Sequence, residues 1–283
     1  MRPGSLFHKT SRMKILEITS AQNPKIKEVT ALIEKSKERR NQGLFVVEGI
    51  REVTACITNG YTIKSIFCNS AIITPEKIEA LFPTNSPIPQ CFFLSQNAYA
   101  KIAYRENTEG IVAVVEEKKL KLQDIQLGKK WDHPLILIME SVEKPGNLGA
   151  LLRTADACGI DAVLVCDPLT DLYNPNLIRS SLGGIFTNQV VACSNQEALE
   201  WLQEHKINIL TAQLQDSQWY YQTNMVQPTA IVMGTESTGL TNFWRNASNA
   251  KIKIPMLGEL DSLNVSVSAA VLCYEAVRQR CCK

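Results

Sequence analysis

Two hydrophobic patterns take turns along this chain. Apolar runs of four to six residues end in polar or glycine-bearing stretches, and between them apolar residues return at every third or fourth position. The runs predict strands and the periodic stretches helices. Asn23-Pro24 reads as a helix start, an N-cap followed by proline at the first helical position. Ile26, Val29 and Ile33 continue at helical spacing through Arg40, with Lys25, Lys35 and Arg39 on the other face. Residues 44–47 read as a strand, and Ile50, Val53 and Ile57 as a helix stopped near Gly60. A strand at 63–68, a helix opened by Thr74-Pro75, a strand at 91–94, a short helix capped by Ser95 and a strand at 110–115 follow. This alternation predicts a small α/β layer domain ending near Glu117. The charged stretch 118–133, with its glycine and proline, reads as a linker.

A second alternation starts at Leu135. Strands are predicted at 135–139, 162–166, 189–192, 207–211, 230–233 and 251–254, and helices at 147–158, 175–182, 196–205 and 264–280. Strands that are apolar throughout imply a parallel sheet covered on both faces. Ligands of such sheets sit beyond the carboxyl ends of the strands. Three stretches carry polar, glycine-bearing loops in that position: 135–159, 230–240 and 256–280. The expected division is therefore 13–117, a linker at 118–133, and 134–283.

The length of 283 residues suits one large or two modest domains. A hydrophobic share of 45% and a charged share of 20% are those of a globular protein, and no apolar run approaches the ~20 residues of a membrane helix. The nine cysteines include no CxxC, and Cys68 and Cys166 lie inside apolar strands. That pattern reads as reduced, buried thiols of a cytoplasmic protein, with no disulfide framework and no metal site. The net charge of +2 does not by itself call for a polyanionic partner. Its distribution says more: residues 1–60 hold eleven Lys and Arg against six Glu. A basic leading segment fits phosphate contact, and a solvated helix face is the plain alternative. Residues 1–12 are basic and without acids, but short for a transit peptide. Met13-Lys14 looks like a natural start, which makes them an arm or an upstream-start artefact.

The three loops hold the candidate chemistry. The first has Asn147 and, one and a half helical turns on, Arg153. A guanidinium there can fork onto a phosphate or carboxylate, or pair on the surface with Asp156 or Glu140. The second, from Gly234 to Gly239, brings bare backbone close to a ligand. Its Glu236 can bind a ribose, orient the arginine, or complement the dipole of the helix that follows. In the third, Ser262 and Asn264 are either caps of the last helix or site residues; Pro255, Gly258 and Asp261 are more than a cap requires. No GxGxxG and no GxxxxGK[ST] is present, which argues against a dinucleotide site and against an NTPase.

Taken together, N-x-G-x-x-x-R-T-A-x-x-x-G, V-M-G-x-E-x-x-G-L and I-P-M-x-G-x-x-x-S-L-N-V-S-V resemble the three motifs of the SpoU (TrmH) RNA ribose 2′-O-methyltransferases of the SPOUT superfamily. Upstream, ITSAQNPKIK, ERRNQGLFVVEGIREV and TEGIVAVV resemble the substrate-binding domain that precedes many of these enzymes. Ser268 departs from the alanine usual in the last motif. The resemblance implies an α/β fold in which a C-terminal parallel-sheet domain with a deep trefoil knot follows a small α/β/α RNA-binding domain. It implies a homodimer, S-adenosylmethionine as cofactor and RNA as substrate, 23S-type rRNA ahead of tRNA. It carries catalytic roles to Asn147, Arg153, Glu236, Ser262 and Asn264, and cofactor binding to Thr211, Gly234, Ile254, Met256 and Leu263. A polar but not strongly cationic surround is expected for a sulfonium. A non-catalytic RNA-binding protein and a base methyltransferase on the same fold are the rival readings.

Overall fold

The computed structural model describes residues 13–84, 86–104, 109–235, 238–259 and 262–281. The chain divides after Glu117 into two compact units.

The first unit runs β1 (Ile15–Ile18), α1 (Pro24–Glu34), α2 (Ser36–Gln42), β2 (Leu44–Glu48), α3 (Ile50–Thr58), β3 (Ile63–Asn69), α4 (Pro75–Glu79), β4 (Gln90–Leu94), α5 (Gln96–Tyr99) and β5 (Ile111–Glu116). Its sheet has the order β1-β4-β3-β5-β2, with β5 antiparallel to both neighbours. Asn23 caps α1 by accepting from the Lys25 backbone N–H at 2.9 Å. The helix expected to continue through Arg40 breaks at Lys35, whose backbone is extended. The cause is Arg39. It is buried, and its guanidinium donates to the Leu32 and Ile33 carbonyls at 2.6 and 3.0 Å, satisfying the last turn of α1. Arg39 is thus a structural cap, not part of a solvated basic face. Lys25 lies over the Phe92 ring, 5.3 Å from its centre.

The second unit contains β6 (Leu135–Glu140), α6 (Pro145–Cys158), β7 (Ala162–Cys166), α7 (Pro175–Ser181), α8 (Gly184–Thr187), β8 (Val190–Cys193), α9 (Asn195–Glu204), β9 (Asn208–Ala212), β10 (Gln218–Trp219), β11 (Thr229–Met233), α10 (Asn242–Ala247), β12 (Ala250–Lys253) and α11 (Val265–Cys281). Its sheet is parallel at every pairing, in the order β10-β12-β9-β11-β6-β7-β8. From β6 the chain builds outward to β8, then returns to the other side for β9. The turning point lies at β6, β11 and β9, where the carboxyl strand ends open a crevice.

Ile136, Ile138, Leu164, Ala230 and Val232 face one side of the sheet, where they pack with Ala198 and Leu202 of α9 and Trp244 of α10. The stretch 118–133 lies on the same core through Leu120, Leu122, Ile125 and Leu127. It was expected as a linker and is instead part of the second unit, because its leucines and isoleucine find apolar cover there. On the other side α6 packs against β7, α7 and α11, and α11 against β11. Gly149 sets the α6–α7 approach: a Cβ there would stand 1.9 Å from Ser180 Oγ and 2.8 Å from the Ser181 backbone N. The motif glycine is required by helix packing.

The carboxyl end of α11 is tied to the segments that lead into β6 and β11 by Arg280. Its buried guanidinium donates to the Met225 carbonyl at 2.9 Å, and to those of His133, Pro134 and Gln227. Arg280→Met keeps the apolar stem and strands these acceptors. It is expected to lower stability by roughly 2–4 kcal/mol, read as a lower denaturation midpoint. An unchanged midpoint would mean that the four carbonyls gain nothing from the guanidinium.

Candidate active site

A cleft of ≈ 400 Å³ lies at the carboxyl ends of β9, β11 and β12. Residues 212–215 form one wall, 233–235 and 238–240 the second, 252–254 and Met256 the third, and Ser262, Leu263, Val265 and Ser268 the fourth. The loop after β11 doubles back on itself. Thr235 N donates to Gly239 O at 3.3 Å, Gly239 N donates to Thr235 O at 3.1 Å, and Gly239 takes a left-handed φ of 68°. Gly234 sits inside this fold-back, where a Cβ would stand 2.3 Å from the Gly239 carbonyl carbon and 2.4 Å from the Leu240 nitrogen. Only a bare backbone fits, and that backbone faces the cleft.

The wall behind the loop is held by a buried carboxylate. Glu140, at the end of β6, accepts from the Thr241 backbone N–H at 2.9 Å, from its hydroxyl at 2.6 Å and from Asn195 Nδ2 at 3.2 Å. Asn195 Oδ1 in turn accepts from Trp244 Nε1 at 2.6 Å. These bonds seat α10 on the sheet.

A smaller cavity of ≈ 70 Å³, lined by Val142, Lys144 and Asn147, shares Gly234, Thr235 and Val265 with the cleft. Here the first and third loops meet: Asn264 Nδ2 donates to Asn147 Oδ1 at 3.2 Å across 117 positions of sequence. Asn264 is also the cap of α11, its Oδ1 accepting from Ser266 N at 3.0 Å and Ser266 Oγ at 2.6 Å. The capping reading of Asn264 therefore holds, and the same side chain also bridges to the first loop.

Gly234, Ile254, Met256, Ser262 and Leu263 line the cleft. Thr211 lies one residue before its wall, fully buried, with Oγ1 lacking a hydrogen-bond partner. Arg153 stands exposed on α6, outside the lining of both cavities. Neither carboxylate considered for it is bonded to it: Glu140 is held as described, and Asp156 accepts from Thr187 Oγ1 at 2.7 Å. Glu236 and Asp261 fall outside the described residues.

The described cysteines are all free thiols. Burial pushes the Cys158 thiol up to about 11 and the Cys91 thiol up to about 12, and Cys56, Cys68 and Cys273 higher still. They stay protonated at neutral pH and offer no thiolate nucleophile. Among the described residues no helix is long and apolar enough to cross a membrane.

Residues 134–274 match the SpoU rRNA Methylase family, and residues 23–113 match the MRM3-like substrate binding domain. The 23S rRNA guanosine-2′-O-methyltransferase RlmB of Vibrio parahaemolyticus is 31% identical over 221 residues, which are 76% of this chain and 90% of that protein. The chain belongs to the SpoU rRNA methylase family. Another relative, the 23S rRNA guanosine 2′-O-methyltransferase RlmP of Bacillus subtilis, is 29% identical over 91% of this chain and 98% of its own length. A crystal structure of an RNA 2′-O ribose methyltransferase has a TM-score of 0.80 at 36% identity, covering 94% of this chain and all of that one. The SpoU methyltransferase AviRb from Streptomyces viridochromogenes, in complex with AdoMet, has a TM-score of 0.82 at 25% identity, covering 92% of this chain and all of that one. This SpoU family chain is a methyltransferase with S-adenosylmethionine as its cofactor.

The cleft fits that cofactor. Its volume is that of a small-molecule site. Met233, Leu240, Ile252, Ile254 and Leu272 give it apolar walls for a purine, and Gly234 exposes backbone polar groups. The electrostatics depart from expectation: the charged side chains among its described lining residues are Arg245 and Lys253, both cationic. Sequence reasoning missed Arg245, Gln213 and Lys253. Arg245 reads as an ordinary surface position in the short helix after the second motif, and only the fold turns it inward.

Proposed function

We propose that this chain transfers the methyl group of S-adenosylmethionine to a ribose 2′-hydroxyl of large-subunit ribosomal RNA, in the cytoplasm and as a homodimer. The observation that carries this reading is the meeting of the second and third motif loops at the cleft, with the first loop joined to them at the adjoining cavity by the Asn147–Asn264 bond. When bound there, the cofactor supplies an electrophilic methyl on a sulfonium. The backbone at Gly234, Ile254 and Leu263, with Met256 beside them and Thr211 behind, holds the nucleoside end. Arg153, exposed and without a partner among the described residues, grips the phosphate or ribose of the target nucleotide and orients its hydroxyl. A guanidinium stays protonated, so its role is positioning charge, not accepting a proton. Asn147, Ser262 and Asn264, together with Glu236, fix the ribose and the arginine. In-line approach of the 2′-oxygen to the methyl then supplies much of the rate: the C–O bond would form as the C–S bond breaks, the neutral thioether would leave, and the hydroxyl proton would pass to solvent.

The exposed apolar flank of α11, with Val267 and Tyr274 each about half accessible, supports a second copy packing on that helix. The return of α11 from the β12 side of the sheet to β11 and α6 supports reading residues 254–281 as the knotted segment. The first unit supplies RNA affinity through Lys and Arg. Removing residues 13–117 is expected to weaken rRNA binding at least tenfold and to flatten its salt dependence, with cofactor binding kept. Unchanged RNA affinity in that variant would take the assignment away from the first unit.

Transfer of labelled methyl groups to undermethylated large-subunit rRNA and, separately, to tRNA tests the substrate. Label in a ribose of the rRNA, with tRNA blank, is the expected result. Label in tRNA alone, or on a base, would overturn it.

A further inference from the structure

Arg245 and Gln213 each carry a polar atom that no hydrogen-bond partner among the described residues satisfies. Arg245 projects from α10 into the cleft wall, and its Nε is buried without a hydrogen-bond partner. Gln213 follows β9 on the facing wall. Its Nε2 donates to the Gln215 carbonyl at 2.8 Å, which fixes the amide, and its Oε1 is left buried without a partner. A buried polar atom left unsatisfied is costly, and native structures hold few. Here one is a cationic donor and the other a neutral acceptor, and both belong to side chains lining the same cleft.

We propose that these two side chains hold the amino-acid end of the cofactor, Arg245 its carboxylate and Gln213 its ammonium group. The inference rests on the reading that the cleft is the cofactor site. A guanidinium in a wall with no acidic side chain among the described lining residues calls for an anion from the ligand. The other lining cation, Lys253, already has its ammonium over the Trp219 ring, 4.8 Å from the centre. S-adenosylmethionine carries a carboxylate and an ammonium on one carbon, matching the donor and the acceptor. Its adenosine end has no anion to offer. The carboxylate also offsets the two lining cations, which would otherwise oppose a sulfonium.

The test is binding of S-adenosylhomocysteine and of 5′-methylthioadenosine to the full-length protein, by calorimetry. The two ligands share nucleoside and thioether, and only the first has the amino-acid end. Wild-type protein should prefer S-adenosylhomocysteine. Arg245→Met should weaken it roughly 10- to 100-fold and leave methylthioadenosine within about twofold, which also reports that the cleft is intact. Gln213→Leu should act in the same sense, by roughly 3- to 10-fold, and Arg245→Lys should keep part of the preference. Equal weakening of both ligands by Arg245→Met, or of neither, overturns the assignment. Wild-type protein that binds neither ligand overturns the cofactor reading beneath it.

Discussion

Replacing Arg153 with alanine is expected to lower methyl transfer by roughly 10²- to 10⁴-fold while S-adenosylhomocysteine binds within about twofold of wild type. The split follows from where the residue stands. Arg153 lies outside the lining of the cleft, so the cofactor has no contact to lose. It is exposed on α6, so deletion of its side chain leaves no buried hole and the fold should persist. What disappears is a planar fork that can hold two oxygens of the RNA backbone at once. Lysine restores the charge and not the fork, so Arg153→Lys should recover little. Near-normal turnover in Arg153→Ala would remove the residue from the site.

Gly234→Ala is expected to reduce cofactor affinity by at least roughly 100-fold, the scale at which a wall of the site has moved. The added methyl would stand 2.3–2.5 Å from three backbone atoms of Gly239 and Leu240. No rotamer change relieves a clash with main chain, so the 234–240 turn must open. That turn is one wall of the cleft and shares its next residue, Thr235, with the cavity holding Asn147. Gly258 supplies the control from the third loop. A Cβ there meets nothing within 4 Å, so Gly258→Ala should bind the cofactor nearly as wild type does. Equal behaviour of the two variants would mean that the fold-back at Gly234 does not shape the site.

Much of the site could be read from the sequence because its parts are short, local and punctuated. Each loop follows an apolar strand and opens toward a helix, and that alone places it at a carboxyl strand end. The order of the strands could not be read. Strands apolar on both faces carry no mark of their neighbours, and β10, two residues long, has no pattern at all. Helix 24–40 and the stretch 118–133 differ from the pattern of their sequence for a related reason. Arg39 looks like a surface charge until its carbonyl partners are known, and Leu120 and Ile125 look like linker residues until a core is found beneath them. Gly149 was visible as a motif position but not as the contact with Ser180. Arg245 and Gln213 were invisible because both owe their position to tertiary packing: the Glu140–Thr241 bonds seat one, and the end of β9 the other.

A crystal structure of the protein with S-adenosylhomocysteine addresses the three-loop site most directly. The nucleoside should lie against the backbone of Gly234, Ile254 and Leu263, with its amino-acid end toward Arg245 and its sulfur facing the side on which Asn147 and Asn264 meet. Density for the ligand in any other part of the second unit, or sulfur turned away from those two asparagines, would contradict a single methyl-transfer site built by the three loops.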